Sequence, residues 1–127
     1  MLTWNACTTW WLWNSTDVGA IAAIIANSLI MTLPWWGYHI FKNKYGAKAG
    51  YFSLVVFWML FEYIHLNWQL SWPWLTLGNV FASQPGWVQW YEYTGTSGGT
   101  LWVLLVNVLL FDIVLQWRNK TNKTYRL

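Results

Sequence analysis

Residues 50–70 read GYFSLVVFWMLFEYIHLNWQL, twenty-one residues with no Lys, Arg or Pro and a single acid, Glu62. Coiled as a helix at about 1.5 Å per residue, the run is about 30 Å long, the thickness of a bilayer's hydrocarbon core. It lacks the apolar/polar alternation of a half-buried strand, and it is too uniformly apolar for a surface helix. The expected element is a transmembrane helix. Working outward, residues 18–41 form a second apolar run, with Asn27, Ser28 and Thr32 as its weakly polar members, and residues 101–117 form a third. Pro34 should kink or end the first of these near Leu33, because proline has no N–H to give the preceding turn.

The predicted fold class is an all-α membrane protein with about three transmembrane helices and an outward-facing aromatic-rich loop. Residues 1–17 are read as an outer aromatic segment and 18–41 as a span. A basic loop at 42–49 then leads to the second span, 50–70. A Trp/Pro/Gly loop at 71–100 leads to the third span, 101–117, and a basic tail at 118–127 follows.

Composition agrees. Hydrophobic residues make up 57% of the 127-residue chain and charged residues 9%, against about 25% charged in ordinary soluble domains. Mean hydropathy is only +0.29, because fourteen Trp and seven Tyr score as neutral or polar although their rings favour the membrane–water interface. A net charge of +3 and a pI near 9.1 would suggest nucleic acid in a soluble protein. Here the basic residues sit in two short juxtamembrane clusters, which read as topology signals, and no nucleic-acid partner is expected. The lone Cys7 cannot form an intrachain disulfide, and no base beside it would make it a nucleophile. No positive n-region or continuous apolar h-region opens the chain, so no secretory signal peptide is expected. A membrane chain that starts in mid-pattern is expected to be a piece of a longer one.

Lys42, Lys44 and Lys48 lie between the first two spans, and Arg118, Lys120, Lys123 and Arg126 follow the third. Residues 1–17 and 71–100 hold neither Lys nor Arg. The positive-inside rule therefore places the basic segments in the cytoplasm, and the N-terminus and the 71–100 loop outside. Ten tryptophans, among them Trp4, Trp10, Trp11, Trp68, Trp72 and Trp74, then map to the outer side. Trp35, Trp36 and Trp117 map to the inner side, and Trp58 lies near mid-span. An anchoring belt alone would be roughly symmetric. The excess implies a pocket or platform on the outer face.

Trp58, Glu62, His65 and Gln69 recur at i, i+4, i+7 and i+11 and should share one helix face. Glu62, His65 and Gln69 form a candidate intramembrane polar brace. An ionisable group at that depth costs a few kcal/mol, which either marks a cavity or leaves a neutral carboxyl fixing helix packing. Just beyond lies Ser71-Trp72-Pro73-Trp74-Leu75-Thr76-Leu77-Gly78-Asn79, apolar residues between a helix-stopping proline and a turn-permitting glycine. Trp72, Pro73, Trp74 and Gly78 are the candidates for a lipid or substrate entrance. Asn107 should hydrogen-bond between helices, and Asp112 should reach Arg118 or water. His39 and His65 lie about 22 Å apart in depth, too far for one haem, and no zinc spacing occurs. No cofactor or metal is expected. Ser97 or Thr100 should cap the third span.

These residues resemble the apolipoprotein N-acyltransferase family. Phe57-Trp58-Met59-Leu60-Phe61-Glu62-Tyr63 is similar to that family's W-x-x-x-E-[WY] helix. Trp72-Pro73-Trp74-Leu75-Thr76-Leu77-Gly78 is similar to its PW-x-x-LG loop, and Thr94-Gly95 with Gly98-Gly99 to its TG-x-x-G segment. Thr8-Thr9-Trp10-Trp11 and Asn27-Ser28-Leu29 look like the helix upstream in some members.

The resemblance implies about eight transmembrane helices and an outward nitrilase-like domain inserted before the last of them. On that domain a Cys–Glu–Lys triad takes an acyl chain from a phospholipid donor and passes it to the N-terminal cysteine amine of a lipoprotein acceptor, at the bacterial inner membrane. No residue here matches that triad, so no catalytic residue is expected in this chain. The expectation is a truncated or split enzyme, inactive alone, with the missing domain on a continuing or separate chain. The competing reading is a small non-enzymatic multi-pass membrane protein, such as a transport or packing subunit.

Overall fold

The computed structural model describes residues 1–69 and 73–124, with side chains to Asn119. All regular structure among the described residues is helical. The α-helices are α1 (Leu2–Thr8), α2 (Asp17–Ile30), α3 (Thr32–Tyr45), α4 (Ala47–Asn67) and α5 (Tyr91–Thr124). Short 3-10 turns lie at Trp10–Asn14, Pro73–Leu75, Leu77–Phe81 and Pro85–Trp87. Three stretches are long and apolar enough to cross a membrane: Asp17–Tyr45, Ala47–Asn67 and Tyr91–Asn119. On α5, Leu109, Leu110, Ile113 and Val114 each leave more than half their surface exposed, which suits a chain whose solvent is hydrocarbon and not water.

The chain divides into two compact units, Met1–Leu75 and Thr76–Leu127. In the first, the Thr16 hydroxyl accepts from the Gly19 N–H at 3.3 Å and caps α2, with Asp17 in its first turn facing the positive helix end. The helical course breaks at Met31 and resumes with Pro34 in the first turn of α3. The expected interruption near Leu33 therefore falls two residues earlier. Pro34 has no N–H to donate to the Ile30 carbonyl one turn back, so the ladder parts before it.

α3 and α4 form a hairpin. Lys42 and Lys44 occupy the last turn of α3, at the negative helix end, and Gly46 at φ 89° turns the chain before α4 starts at Ala47. The basic loop expected at 42–49 is thus mostly helix, with the reversal made around Gly46. Two glycines let the helices approach. A Cβ at Gly37 would lie 2.5 Å from the Phe57 ring, and one at Gly50 would lie 2.7 Å from Lys42 Cβ. Aromatic contacts run along the seam, Phe41 on Phe57 at 5.4 Å and Tyr38 on Tyr51 at 6.3 Å.

In the second unit, α5 begins at Tyr91, ten residues before the expected start of the third span, and is broken at Gly95 (φ 61°, ψ −167°). Only glycine adopts that backbone readily.

Candidate functional site

The apolar run of α4 carries Trp58, Glu62 and His65 on one face, and all three are buried. The Trp58 indole Nε1 donates to Glu62 Oε1 at 3.0 Å, one turn along the helix. A carboxyl inside hydrocarbon is costly unless hydrogen-bonded, and this indole supplies one such bond. The expected stripe stops there. Helix α4 ends at Asn67, where Trp68 turns extended, so Gln69 leaves the helical register and is exposed. Glu62 and His65 are brought together, and Gln69 is not.

The His65 ring stacks on Phe61 at 5.1 Å and leans on Trp68 at 5.2 Å. Its Nε2 is buried and without a hydrogen-bond partner. Beside it a groove of about 540 Å³ runs between the Ile30–Phe41 stretch and α4, from Phe41 and Phe57 at one end to Ile30 and Trp68 at the other. Its wall is almost wholly apolar.

Trp72 lies outside the described residues. Pro73 and Trp74 open a single 3-10 turn, and the Trp74 ring meets Trp11 edge-on at 5.5 Å. That contact ties the N-terminal aromatic segment to the start of the Pro73 turn. Trp74 stays more than half exposed, as an interfacial side chain can be. Gly78 differs. It is buried in the second unit, its N–H donates to Thr100 Oγ1 at 3.0 Å, and its carbonyl accepts from the Tyr91 hydroxyl at 2.8 Å. A Cβ at Gly78 would collide with the Thr96 carbonyl oxygen, and one at Gly99 with the Tyr91 hydroxyl. The PW-x-x-LG and TG-x-x-G segments are therefore packing partners. Thr100, expected as a helix cap, instead holds the 3-10 turn Leu77–Phe81.

One cluster was not anticipated. Asn5 and Thr9 are fully buried, Asn27 Nδ2 donates to Asn5 Oδ1 at 2.5 Å, Asn5 Nδ2 donates to Met31 Sδ at 3.2 Å, and the Thr9 hydroxyl donates to the Asn5 carbonyl at 2.6 Å. This pins α1 to α2. The sequence signal was an asparagine at Asn27 inside an apolar span, but nothing marked Asn5 as its partner. Asn107 donates to Val103 O of its own helix at 2.8 Å, not to another helix, and Gln116 Nε2 donates to Asp112 Oδ2 at 2.7 Å where Arg118 was expected. In both cases a neighbour one turn away lies within easier reach. Among the described residues no three His, Cys, Asp or Glu side chains gather to hold a metal.

The sequence profile of the apolipoprotein N-acyltransferase N-terminal domain matches residues 1–109. An apolipoprotein N-acyltransferase of Chlorobaculum tepidum is 30% identical over 107 residues, which cover 84% of this chain and 20% of that protein. The chain thus matches about a fifth of that relative's length. No solved structure matches it. Glu62 with its indole donor, the Pro73 turn and the Gly78–Thr100 packing all fall inside the matched residues, and the chain belongs to the apolipoprotein N-acyltransferase N-terminal domain family.

Proposed function

We propose that this chain is the membrane part of an apolipoprotein N-acyltransferase, an enzyme that moves an acyl chain from phospholipid to the N-terminal cysteine amine of lipoproteins at the bacterial inner membrane. The observation that carries the reading is the family match over residues 1–109, which takes in the two α4-side motifs and the TG-x-x-G segment in order. The asymmetric basic residues support an orientation with the N-terminus and the 71–100 loop outward. In that orientation Trp72, Pro73, Trp74 and Gly78 border the lipid-facing entrance, and Glu62 and His65 brace it. The chain carries no group fit for acyl transfer by itself, so its part is to hold lipid for a catalytic domain, and alone it is inactive.

The test is a chimera. Residues 1–109 replace the matching segment of a complete apolipoprotein N-acyltransferase, and lipoprotein N-acylation is followed in cells depleted of their own enzyme. The chimera should acylate and the chain alone should not. A chimera that inserts normally and leaves lipoproteins unacylated removes the reading.

A further inference from the structure

We infer that the groove between α3 and α4 is a binding site for one acyl chain of a membrane phospholipid, with the ester carbonyl of that chain accepting a hydrogen bond from His65 Nε2–H. The inference does not depend on acyl transfer, since it concerns only what the groove holds.

Three observations converge. First, the groove's length suits one leaflet. From Phe57 to Trp68 is eleven residues along α4, about 16 Å at helical rise, against about 15 Å for half of a 30 Å hydrocarbon core. Second, its wall is hydrocarbon and aromatic, with Leu33, Ile40, Leu60 and Ile64 among the lining residues. Third, its one imidazole sits near the end where α4 meets the interface, 8% exposed, with Nε2 buried and unpartnered. A buried polar atom left unpaired costs about 1–3 kcal/mol. A water could not satisfy it stably, because an ordered water needs two to four polar partners and the groove wall is almost wholly apolar. A phospholipid supplies both things the site lacks. It brings a chain for the groove and, at the interfacial end of that chain, a carbonyl oxygen for the imidazole. Phe61 and Trp68 hold the ring between them, so the imidazole is preorganised for that contact.

The experiment uses the full chain in nanodiscs of phosphatidylethanolamine and phosphatidylglycerol. A trace of phosphatidylglycerol carrying a diazirine at mid-chain serves as probe, and adducts are mapped by mass spectrometry after irradiation. Labelling should concentrate on Phe57, Leu60, Phe61 and Ile64 over the lipid-exposed Leu109 and Ile113. An ether-linked probe, which keeps the chain but lacks the carbonyl, should label the groove of the unmodified protein about fivefold less, the loss of one net hydrogen bond. His65→Phe should reduce labelling by the ester probe by the same factor, and His65→Gln should restore part of it. Groove labelling no higher than at Leu109 and Ile113 would overturn the site. Equal labelling by ester and ether probes would overturn the role of His65, and an adduct or hydrogen bond between His65 and another polypeptide segment would replace the lipid by protein.

Discussion

The backbone N–H of Gly78 donates to the hydroxyl of Thr100 at 3.0 Å, so the last glycine of the PW-x-x-LG loop is bonded to the residue directly after the Gly98-Gly99 pair. The two segments are separated by about twenty residues of sequence and share one packing unit. Replacing Thr100 by Ala leaves the buried Gly78 N–H without this acceptor, which should cost about 1–3 kcal/mol. Thr100→Ser keeps the hydroxyl and should recover most of that. Thermal midpoints of the two variants in a complete homologue check the difference, and equal midpoints would show that the hydroxyl is dispensable.

Gly78→Ala tests the same unit by volume. The new Cβ would meet the Thr96 carbonyl oxygen, a backbone atom that cannot swing aside. The expected cost is at the upper end of the about 1–3 kcal/mol typical of overpacking, with lipoprotein N-acylation by the complete enzyme falling alongside stability. An alanine variant as stable as the parent would mean that the 3-10 turn Leu77–Phe81 can move off α5 at little cost.

Much of this was legible beforehand. The three spans follow from apolar run length, because hydrocarbon thickness fixes how long a spanning helix must be, and the Trp58–Glu62 register follows from 3.6 residues per turn. What was not legible depends on where a helix stops or which distant side chain it meets. Gln69 was placed on the α4 face by spacing alone, but spacing does not reveal that α4 ends at Asn67. Thr100 looked like a cap because it is a hydroxyl near a helix start, and its real partner lies in another segment. The Asn5–Asn27 bond joins residues twenty-two apart, a pairing that periodicity within one helix does not encode.

Glu62 and Trp58 offer a test inside the membrane. Glu62→Gln keeps an oxygen that can accept the indole N–H, so stability in detergent should change little. Glu62→Leu and Trp58→Phe each remove the bond seen at 3.0 Å, and each should destabilise by about 1 kcal/mol or more. Because both remove one shared interaction, the double variant should cost less than the two singles added together. Strict additivity would show that the indole and carboxyl act independently.

The Asn5–Asn27 pair should hold α1 against α2. Asn5→Leu removes the acceptor of a 2.5 Å bond and leaves the Asn27 amide buried beside hydrocarbon. Helix α1 should then open more often. Cleavage after Trp4 or Trp10 by chymotrypsin, on protein in detergent, reads this directly. The expected result is faster N-terminal clipping with the α3–α4 hairpin intact. An unchanged clipping rate would mean that Met31 and Thr9 hold the helix without the amide pair.

The final prediction concerns direction across the bilayer. Lys42, Lys44 and Lys48 flank the Gly46 reversal, and Arg118 and Lys120 follow the third apolar run, while residues 71–100 hold no basic side chain. A phosphatase reporter, active only outside the cytoplasm, should therefore be active when fused after Gly86 and silent when fused after Gly46. Exchanging Lys42, Lys44 and Lys48 for Gln removes the basic residues between the first two spans and leaves those after the third, so the Gly86 fusion should lose part of its activity as mixed orientations appear. A reporter active after Gly46 and silent after Gly86 in the parent chain would invert the topology. The Pro73 turn would then face the cytoplasm, on the wrong side for an entrance serving outward-facing acyl transfer.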